Sequence, residues 1–389
     1  MYTINIPVRK KITLFLLYVF VANVVFLPND TFQLKKISFA VLIILNFDAF
    51  LYLKGKLNAL VFCFAVVLPI YIISKSLILT GDLVGNVIGV FTGFMLLLYF
   101  VIQKYEFDFE FVLMRMLMIL ALFMVSMAIL DFVGVLPTMS NPLLMWFYNT
   151  DNAMIGRGVR HAFGIIYFMK ASPLLLLCLP YCIKNKKYIW TGIVLVALII
   201  SGTRANFLMG VIVFLVCFIY KERDFKRKML LLFLTLIVIY IGVVGTDVTN
   251  IILNAFTIKE SNDLSRRLSL QSIFSFWEAN PLKFFIGSGY SSEFYNLRLN
   301  QMVSNTELSY WNLLRRVGFF TFLVMMYMFL YPSLKTCKFE TLANIGYLAY
   351  LVVAYTNPLL YSSTGITALL YMYYLLMRFR QTSVLVDKV

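Results

Sequence analysis

Apolar residues run along this chain in long, continuous blocks separated by short polar breaks. The first block, 12–27, is interrupted only by Thr13 and Asn23. Eleven more follow at approximately 37–53, 57–79, 84–102, 111–135, 162–183, 188–203, 205–220, 229–244, 311–331, 341–357 and 364–379. A helix that crosses the hydrocarbon core of a bilayer needs about 20 apolar residues, with roughly 17–25 as the usual range. A soluble helix would carry a polar face at the helical period, and most of these blocks have none. The pattern predicts an all-α integral membrane protein with about 12 transmembrane helices. Blocks 188–203 and 205–220 are short and nearly abut, so they read as a tight pair around residues 201–206. No internal repeat and no low-complexity segment is visible.

Lysine and arginine placement orients the spans. With the N-terminus inside, the inner ends and loops hold eighteen of these residues. The short outer loops and their flanks hold six: Lys35, Lys36, Lys75, Arg157, Arg160 and Arg204. Inner loops carry the basic excess, so both termini are expected on the cytoplasmic side. Two outer, periplasmic loops are then long: residues 137–161, which end in GRGVRH, and residues 246–310. The second loop opens the most polar stretch of the chain, 261–318. There Leu264, Leu268, Ile273, Phe274 and Trp277 recur at mixed three-to-five spacing. This predicts an amphipathic surface helix capped at Asn262 or Asp263 and ended by Pro281. Gly287-Ser288-Gly289 predicts a turn, and Arg315 and Arg316 fall in the first turns of the next span.

Composition agrees with the pattern. Hydrophobic residues make up 61% of the 389 positions and charged residues 13%, with a mean hydropathy of +0.86. Soluble domains carry about 25% charged residues. One polytopic domain, 1–389, accounts for the whole length. The formal charge of +16 gathers in short loops, where it is a topology signal rather than a nucleic-acid footprint. None of the five cysteines falls in an outer loop, so no disulfide framework is expected. Arg9, Lys10 and Lys11 precede the first block without a cleavage site of small residues, which predicts a retained span instead of a removed leader.

Candidate chemistry gathers on the outer side. Arg266 and Arg267 are suited to a diphosphate, because guanidinium forks match phosphate oxygens; the bland reading is a solvated helix face. Arg204, in SGTRAN, lies close to the hydrocarbon, where a charge is either functional or snorkels to the interface. Arg157 and Arg160 end the first outer loop beside His161, the only histidine. His161 is either a base near neutral pH or a loop-end imidazole satisfied by backbone. Glu307 is a candidate base, given an environment that raises its pKa, or else an ordinary partner for Arg315 or Arg316. Asp48, Arg115, Asp131 and Lys170 lie within predicted spans and read as structural ion pairs, Asp48 or Asp131 with Arg115 or Lys170. Trp146, Phe147 and Tyr148 read as an interfacial aromatic belt. No nucleotide-binding Gly loop, Asp-x-Asp or metal-ligand cluster is seen, so no metal or cofactor is expected.

These motifs carry a resemblance. RRLSLQSIFSFWEANPLKFFIGSGYSS resembles the long outer loop of the O-antigen polymerase and O-antigen ligase superfamily, through Arg266 or Arg267, Trp277, Pro281, and Gly287 with Gly289. SGTRAN resembles that superfamily's Ser-x-x-Arg turn, in Ser201 and Arg204. ELSYWNLLRRVGFF resembles the segment that re-enters the membrane, ending at Gly318. TNPLLYSSTG, residues 356–365, resembles a late loop of polysaccharide polymerases.

The resemblance implies a GT-C-like glycosyltransferase of the bacterial inner membrane. Such an enzyme joins oligosaccharide repeat units carried on undecaprenyl diphosphate at the outer face, without a metal. Arg204, Arg266, Arg267, Arg160 and Arg157 would hold the diphosphate, and Glu307, or second His161, would activate the acceptor hydroxyl. Membrane lipid, a chain-length regulator and a flippase are the implied partners, and nucleic acid is not. Ligases of the superfamily carry a His near the position of Glu307, and that departure favours a polymerase. An Arg-x10-Gly motif of some polymerases is absent, with Trp277 or Glu278 in place of the Gly. The alternatives are a ligase that moves polymer onto lipid A core and a lipid-linked oligosaccharide flippase. A transporter would more often show internal repeats and charges spread through midplane spans. Reporter fusions are expected to find Phe225 on the cytoplasmic side and Tyr290 outside; the reverse sidedness would remove the basis of an outer-face site.

Overall fold

The apolar blocks fold as helices because a backbone surrounded by apolar side chains must satisfy its own hydrogen bonds. The computed structural model describes residues 6–52, 55–137, 140–157, 165–221, 259–355 and 357–386. Its first helices are α1 (Ile6–Phe26), α2 (Leu34–Leu45), α3 (Lys56–Thr80), α4 (Leu83–Tyr105) and α5 (Phe109–Phe132). A short α6 (Pro142–Asn149) and a hairpin of β1 (Ala153–Arg157) and β2 (Ile165–Met169) follow. Next come α7 (Leu175–Lys184), α8 (Tyr188–Ile200) and α9 (Arg204–Lys221). After residue 258 the chain forms α10 (Lys259–Ala279), α11 (Leu282–Ile286), a small hairpin of β3 (Phe294–Asn296) and β4 (Gln301–Val303), and α12 (Ser309–Val317). The bundle closes with α13 (Phe319–Thr336), α14 (Thr341–Ala354) and α15 (Ser363–Val386).

Among the described residues, four helices are long and apolar enough to cross a membrane: α3, α4, α5 and α13. Shorter apolar helices cover Ser172–Lys184, Tyr188–Ile200, Ala205–Lys221 and Thr341–Ala354. The molecule is therefore a mostly helical protein with membrane-length helices; the expected block 229–244 lies outside the described residues. Local chemistry sets the boundaries. Asp82 caps α4 by accepting from Gly85 N at 2.9 Å, and Asp108 caps α5 by accepting from Phe111 N at 3.0 Å. Gly81 ends α3 in the left-handed conformation at φ 69°. Polar tips inside the bundle are satisfied: Tyr347 donates to Phe329 O at 3.0 Å and Tyr373 to Met328 O at 3.1 Å.

One expected span is not a helix. Among the described residues of block 162–183, Ile165–Met169 is β2, paired antiparallel with β1 from Ala153↔Met169 to Arg157↔Ile165, and only Leu175–Lys184 is α-helical. Ile165, Ile166, Tyr167 and Phe168 are β-branched and aromatic, and a short apolar run of this kind does not reveal by periodicity whether it is strand or helix. The first long loop thus extends past its expected end at residue 161, up to Lys170. Block 311–331 also divides, at Gly318, into the short α12 and the long α13.

The ion pairs differ from expectation as well. Asp48 lies in a 3-10 turn, Phe47–Tyr52, beyond α2, and meets Arg9 and Lys104, each at 2.5 Å. Arg115 lies over the Phe111 ring at 5.9 Å. Lys170 binds Asp151 at 2.6 Å, and this hydrogen bond, with the lysine's charge, holds Asp151 below the ordinary carboxylate pKa. The pairs are local because each acid lies at a helix end or in a loop, next to whichever basic residue ends the neighbouring element.

The two ends of the bundle are chemically distinct. Arg9 at the start of α1, Lys104 at the end of α4 and the Lys184–Glu340 pair at 2.7 Å belong to one end. At the other, Asn152 accepts from Asn29 N just past α1, Tyr290 N donates to Ser76 on α3, and Ser291 N donates to Asn86 on α4. Both loop hairpins thus share an end, called the loop end below. Two glycines weld the second loop to it. A Cβ on Gly318 (φ 78°) would lie 2.4 Å from Phe285 O, and one on Gly287 (φ 91°) 2.5 Å from Arg316 O. Gly318→Ala is expected to lower stability by about 1–3 kcal/mol or more, read as a lower melting temperature in detergent. Gly192→Ala, in open space on α8, is the control; equal effects would show that the close approach carries no weight.

Candidate functional site

The site is built on α10, which starts earlier than expected, so Asn262 and Asp263 lie within the helix instead of capping it. Its buried stripe runs through Ser269, Ser272, Ile273 and Trp277, while Leu264 and Phe274, expected on that face, are exposed. The helical period explains the shift: 269, 272, 273 and 277 share one face, and 264 and 274 do not. Ile273 and Trp277 pack with Phe294 of β3 and Leu314 of α12. Trp277 meets Phe284 edge-on at 5.2 Å. Ser272 Oγ accepts from Leu297 N at 2.9 Å and fixes the hairpin on the helix.

The Gly-x-Gly turn has a defined task. Gly287 and Gly289 adopt φ 91° and 94°, which a residue with a Cβ rarely does. In this shape the turn aims Ser288 N at Arg315 O (2.9 Å) and Gly289 N at Arg316 O (3.0 Å). Lys75 of α3 adds a bond to Val317 O at 2.6 Å. The last carbonyls of α12, which no intrahelical donor reaches, are thereby satisfied.

Arg315 sits at the centre with 0% exposure. Its guanidinium donates to Ser288 Oγ (3.1 Å), Ser292 Oγ (2.8 Å), Ser304 O (2.9 Å) and Asn312 Oδ1 (3.1 Å). The Phe294 ring lies 4.3 Å from its Cζ. Burial, with the neighbouring Arg316 charge, lowers its pKa to about 9, so it stays charged at neutral pH. Every partner is neutral. Arg316 lies over the Tyr290 ring at 4.6 Å and donates to Ser304 O at 2.6 Å.

Glu307 does not pair with either arginine of α12. Its side chain is 53% exposed and accepts from Arg298 at 3.1 Å, because the β3–β4 hairpin brings Arg298 back over the start of α12. Beside it opens a cleft of about 260 Å³ lined by Ser269, Asn296, Arg298, Asn305, Thr306 and Glu307. Asn305 and Pro358 also line a second, smaller pocket of about 70 Å³ at Arg316, Tyr290 and Tyr361. Hydroxyls, amides, one carboxylate and two guanidiniums thus line two neighbouring depressions, a set able to bind hydroxylic or anionic groups and to accept a proton.

The other expected site residues are distributed unevenly. Arg266 and Arg267 are exposed on α10, and Arg266 stands one turn from the cleft residue Ser269. Arg204 opens α9, and Arg157 ends β1; their side chains lie outside the described residues. Arg160 and His161 lie wholly outside them. The tight pair around residues 201–206 is present: Ser201–Thr203 joins α8 to α9, and buried Asn206 donates to Ser172 and Ser201, each at 3.0 Å. Trp146 stacks on Phe32 at 5.9 Å, and Phe147 is buried.

Reading the sequence missed Tyr290 and Tyr361. A signal existed in Gly89 and Gly93, four apart on α4: a Cβ on Gly89 would strike the Tyr290 ring at 2.3 Å, and one on Gly93 the Tyr361 hydroxyl at 2.1 Å. No family model, no curated protein and no solved structure matches this chain.

Removing Arg315 leaves Asn312 Oδ1 and Ser292 O without their donor, each costing about 1–3 kcal/mol, and cuts the ties from α12 to Ser288 and Ser292. Arg315→Leu is therefore expected to lower the melting temperature by several degrees and to open the 288–305 segment to protease. Arg267→Ala, on an exposed face, should stay within about 0.5 kcal/mol of wild type. Indistinguishable melting curves for the two variants would remove Arg315 from the centre of this region.

Proposed function

We propose that this chain is an integral membrane glycosyltransferase, a surface-polysaccharide (O-antigen) polymerase that joins repeat units carried on undecaprenyl diphosphate at the outer face of the bacterial inner membrane. The observation that supports the reading most directly is the cleft at Glu307. A carboxylate at the rim of a depression of about 260 Å³, set among hydroxyls and amides at the loop end of an apolar bundle, suits a sugar acceptor that meets a lipid-borne donor. The ordered resemblance of residues 201–204, 266–289 and 307–318 to the O-antigen polymerase and ligase superfamily supports it independently.

In this mechanism Glu307 accepts the proton of an acceptor sugar hydroxyl as that oxygen attacks the donor's anomeric carbon. The new C–O bond forms while the bond from the anomeric carbon to the diphosphate oxygen breaks. The electron pair leaves on undecaprenyl diphosphate, whose growing charge guanidinium groups offset. Arg298, bonded to Glu307 at 3.1 Å, positions the carboxylate. Arg266, one turn from Ser269, stands where it can approach a group in the cleft, whereas the roles of Arg267, Arg204, Arg157, Arg160 and His161 rest on the resemblance alone.

Glu307→Gln is expected to reduce polymer by roughly a hundredfold or more, within the range that a positioned base contributes, with protein level unchanged; Glu307→Asp should retain part of it. The products in a deletion strain check the reaction class. Core capped with a single repeat supports a polymerase, free lipid-linked polymer a ligase, and repeats held on the inner face a flippase. Equal, mild effects of Gln and Asp at position 307 would reduce Glu307 to a surface partner of Arg298.

A further inference from the structure

We infer that the large cavity at the end of the bundle opposite the loop end binds a phosphoethanolamine group, a phosphate ester that carries a primary ammonium. The inference goes beyond the glycosyl-transfer reading and does not depend on it.

The cavity measures about 820 Å³ and opens where the start of α3, the α4–α5 turn and the end of α15 meet. Its lining begins at Gly55, Glu106 and Asp108, beside the ends of three membrane-length helices, and reaches inward to Tyr99 on α4. At 1.5 Å per residue, Tyr99 lies about 10 Å from Glu106 along the helix. A cavity of this depth spans the headgroup layer and the edge of the hydrocarbon. Leu57, Phe107 and Met377 line it too, and they offer an apolar surface to the glycerol and first methylenes of a lipid.

Two sets of polar groups in the lining lack partners. Glu106 and Asp108 form no ion pair among the described residues, because neighbouring cations are committed elsewhere: Lys104 to Asp48 at 2.5 Å and Arg378 to Glu110 at 3.3 Å. Asp108 accepts from Phe111 N at 3.0 Å and from Tyr374 Oη at 3.2 Å, but both bonds end on Oδ1 and leave Oδ2 unbonded. The second set is independent of these acids. Asn58, 7% exposed, accepts at Oδ1 from Tyr99 Oη at 3.1 Å, while its Nδ2 donates to nothing among the described residues. Unlike the Tyr361 hydroxyl, this nitrogen is not sealed off by protein; Asn58 lines the cavity and presents it there. Buried polar groups are nearly always bonded, so the amide calls for an acceptor inside the cavity.

Both signs of charge line the cavity, and that selects the ligand. Glu106 and Asp108 come from the α4–α5 turn, and Arg378 and Arg380 from α15. A simple anion would be drawn to the guanidiniums and repelled by the carboxylates, and a simple cation the reverse. A zwitterion satisfies both: phosphate oxygens accept from Arg380 and Asn58, and an ammonium donates to Glu106 and to Asp108 Oδ2. A primary ammonium has three N–H donors, whereas a trimethylammonium has none, so the site distinguishes ethanolamine from choline.

The full chain in detergent is titrated separately with dioctanoyl phosphatidylethanolamine, phosphatidylcholine and phosphatidylglycerol, and with water-soluble glycerophosphoethanolamine; native mass spectrometry reads the bound ligand. Wild type should bind phosphatidylethanolamine saturably and roughly tenfold or more tighter than the other two lipids. Glu106→Gln breaks no bond in the free protein, so its melting temperature should not change. It should weaken phosphatidylethanolamine binding roughly tenfold, the scale of one hydrogen bond between charged groups, and leave phosphatidylcholine binding as it was. Arg380→Gln should weaken all three lipids, through the phosphate they share. Tighter binding of phosphatidylethanolamine than of glycerophosphoethanolamine assigns the site to a membrane lipid and equal affinity to a soluble ester; both outcomes support the site. Equal affinities of wild type for the three lipids overturn the inference, as does a preference for phosphatidylglycerol. Unchanged phosphatidylethanolamine binding in folded Glu106→Gln or Arg380→Gln overturns it as well.

Discussion

The second loop depends on one buried cation. Arg315 holds the Gly287–Gly289 turn through Ser288 and Ser292, the end of the β3–β4 hairpin through Ser304, and its own helix through Asn312. Taking a guanidinium out of water costs several kcal/mol even after relaxation. It is tolerated here because the planar fork finds an acceptor in each direction and two aromatic rings, Phe294 and Phe276, flank it. A carboxylate would have neutralised the group. Hydroxyls and carbonyls organise the loop just as well while the positive charge remains.

That arrangement needs the backbones of the turn and of α12 to touch, which explains the two glycines. Gly287 and Gly318 face each other at distances that leave no room for a Cβ on either. The contact delivers two N–H groups to the C-terminal carbonyls of α12, and Lys75 supplies a third donor from α3. Tyr290 and Ser291 then reach Ser76 and Asn86, so the turn is held by α3 and α4 as firmly as by its own loop. The cleft beside Glu307 inherits its position from the bundle through these bonds. A loop carried in this way can hold a substrate group in fixed register, which a free surface loop cannot.

Much of this was legible in the residues, and the gaps have physical causes. Continuous apolar blocks identify helices by the bilayer's demand for internal hydrogen bonding, and Gly-Ser-Gly announced a turn. Residues 165–169 were misread as helix because a five-residue apolar run carries no period, and only its pairing with residues 153–157 makes it a strand. Hydrophobicity places Leu264 and Phe274 on the apolar face of a surface helix, yet the stripe of α10 that packs on the loop passes through Ser269 and Ser272, whose small side chains let the hairpin approach. For Glu307, a candidate base, sequence distance offers Arg315 or Arg316 as the alternative role of ion-pair partner. The hairpin, a long-range feature, brings Arg298 instead. Tyr361 is remote from the loop in sequence, and only the missing Cβ of Gly93 hints at its place.

The two arginine pairs of the loop illustrate why position outweighs count. Arg266 and Arg267 are exposed, so water and salt screen them beyond about 10 Å at moderate ionic strength. They can draw an anion toward the surface but cannot fix it. Arg315 lies under protein and Arg316 only partly so; where the effective dielectric is lower the same charge acts more strongly on a group brought close. Arg315 is already committed to the loop's architecture, and Arg316, at the edge of the small pocket, donates to Ser304 O at 2.6 Å and lies over the Tyr290 ring. The structural cation keeps the turn, the hairpin and α12 together through neutral acceptors, and its unneutralised charge adds to the field around Arg316.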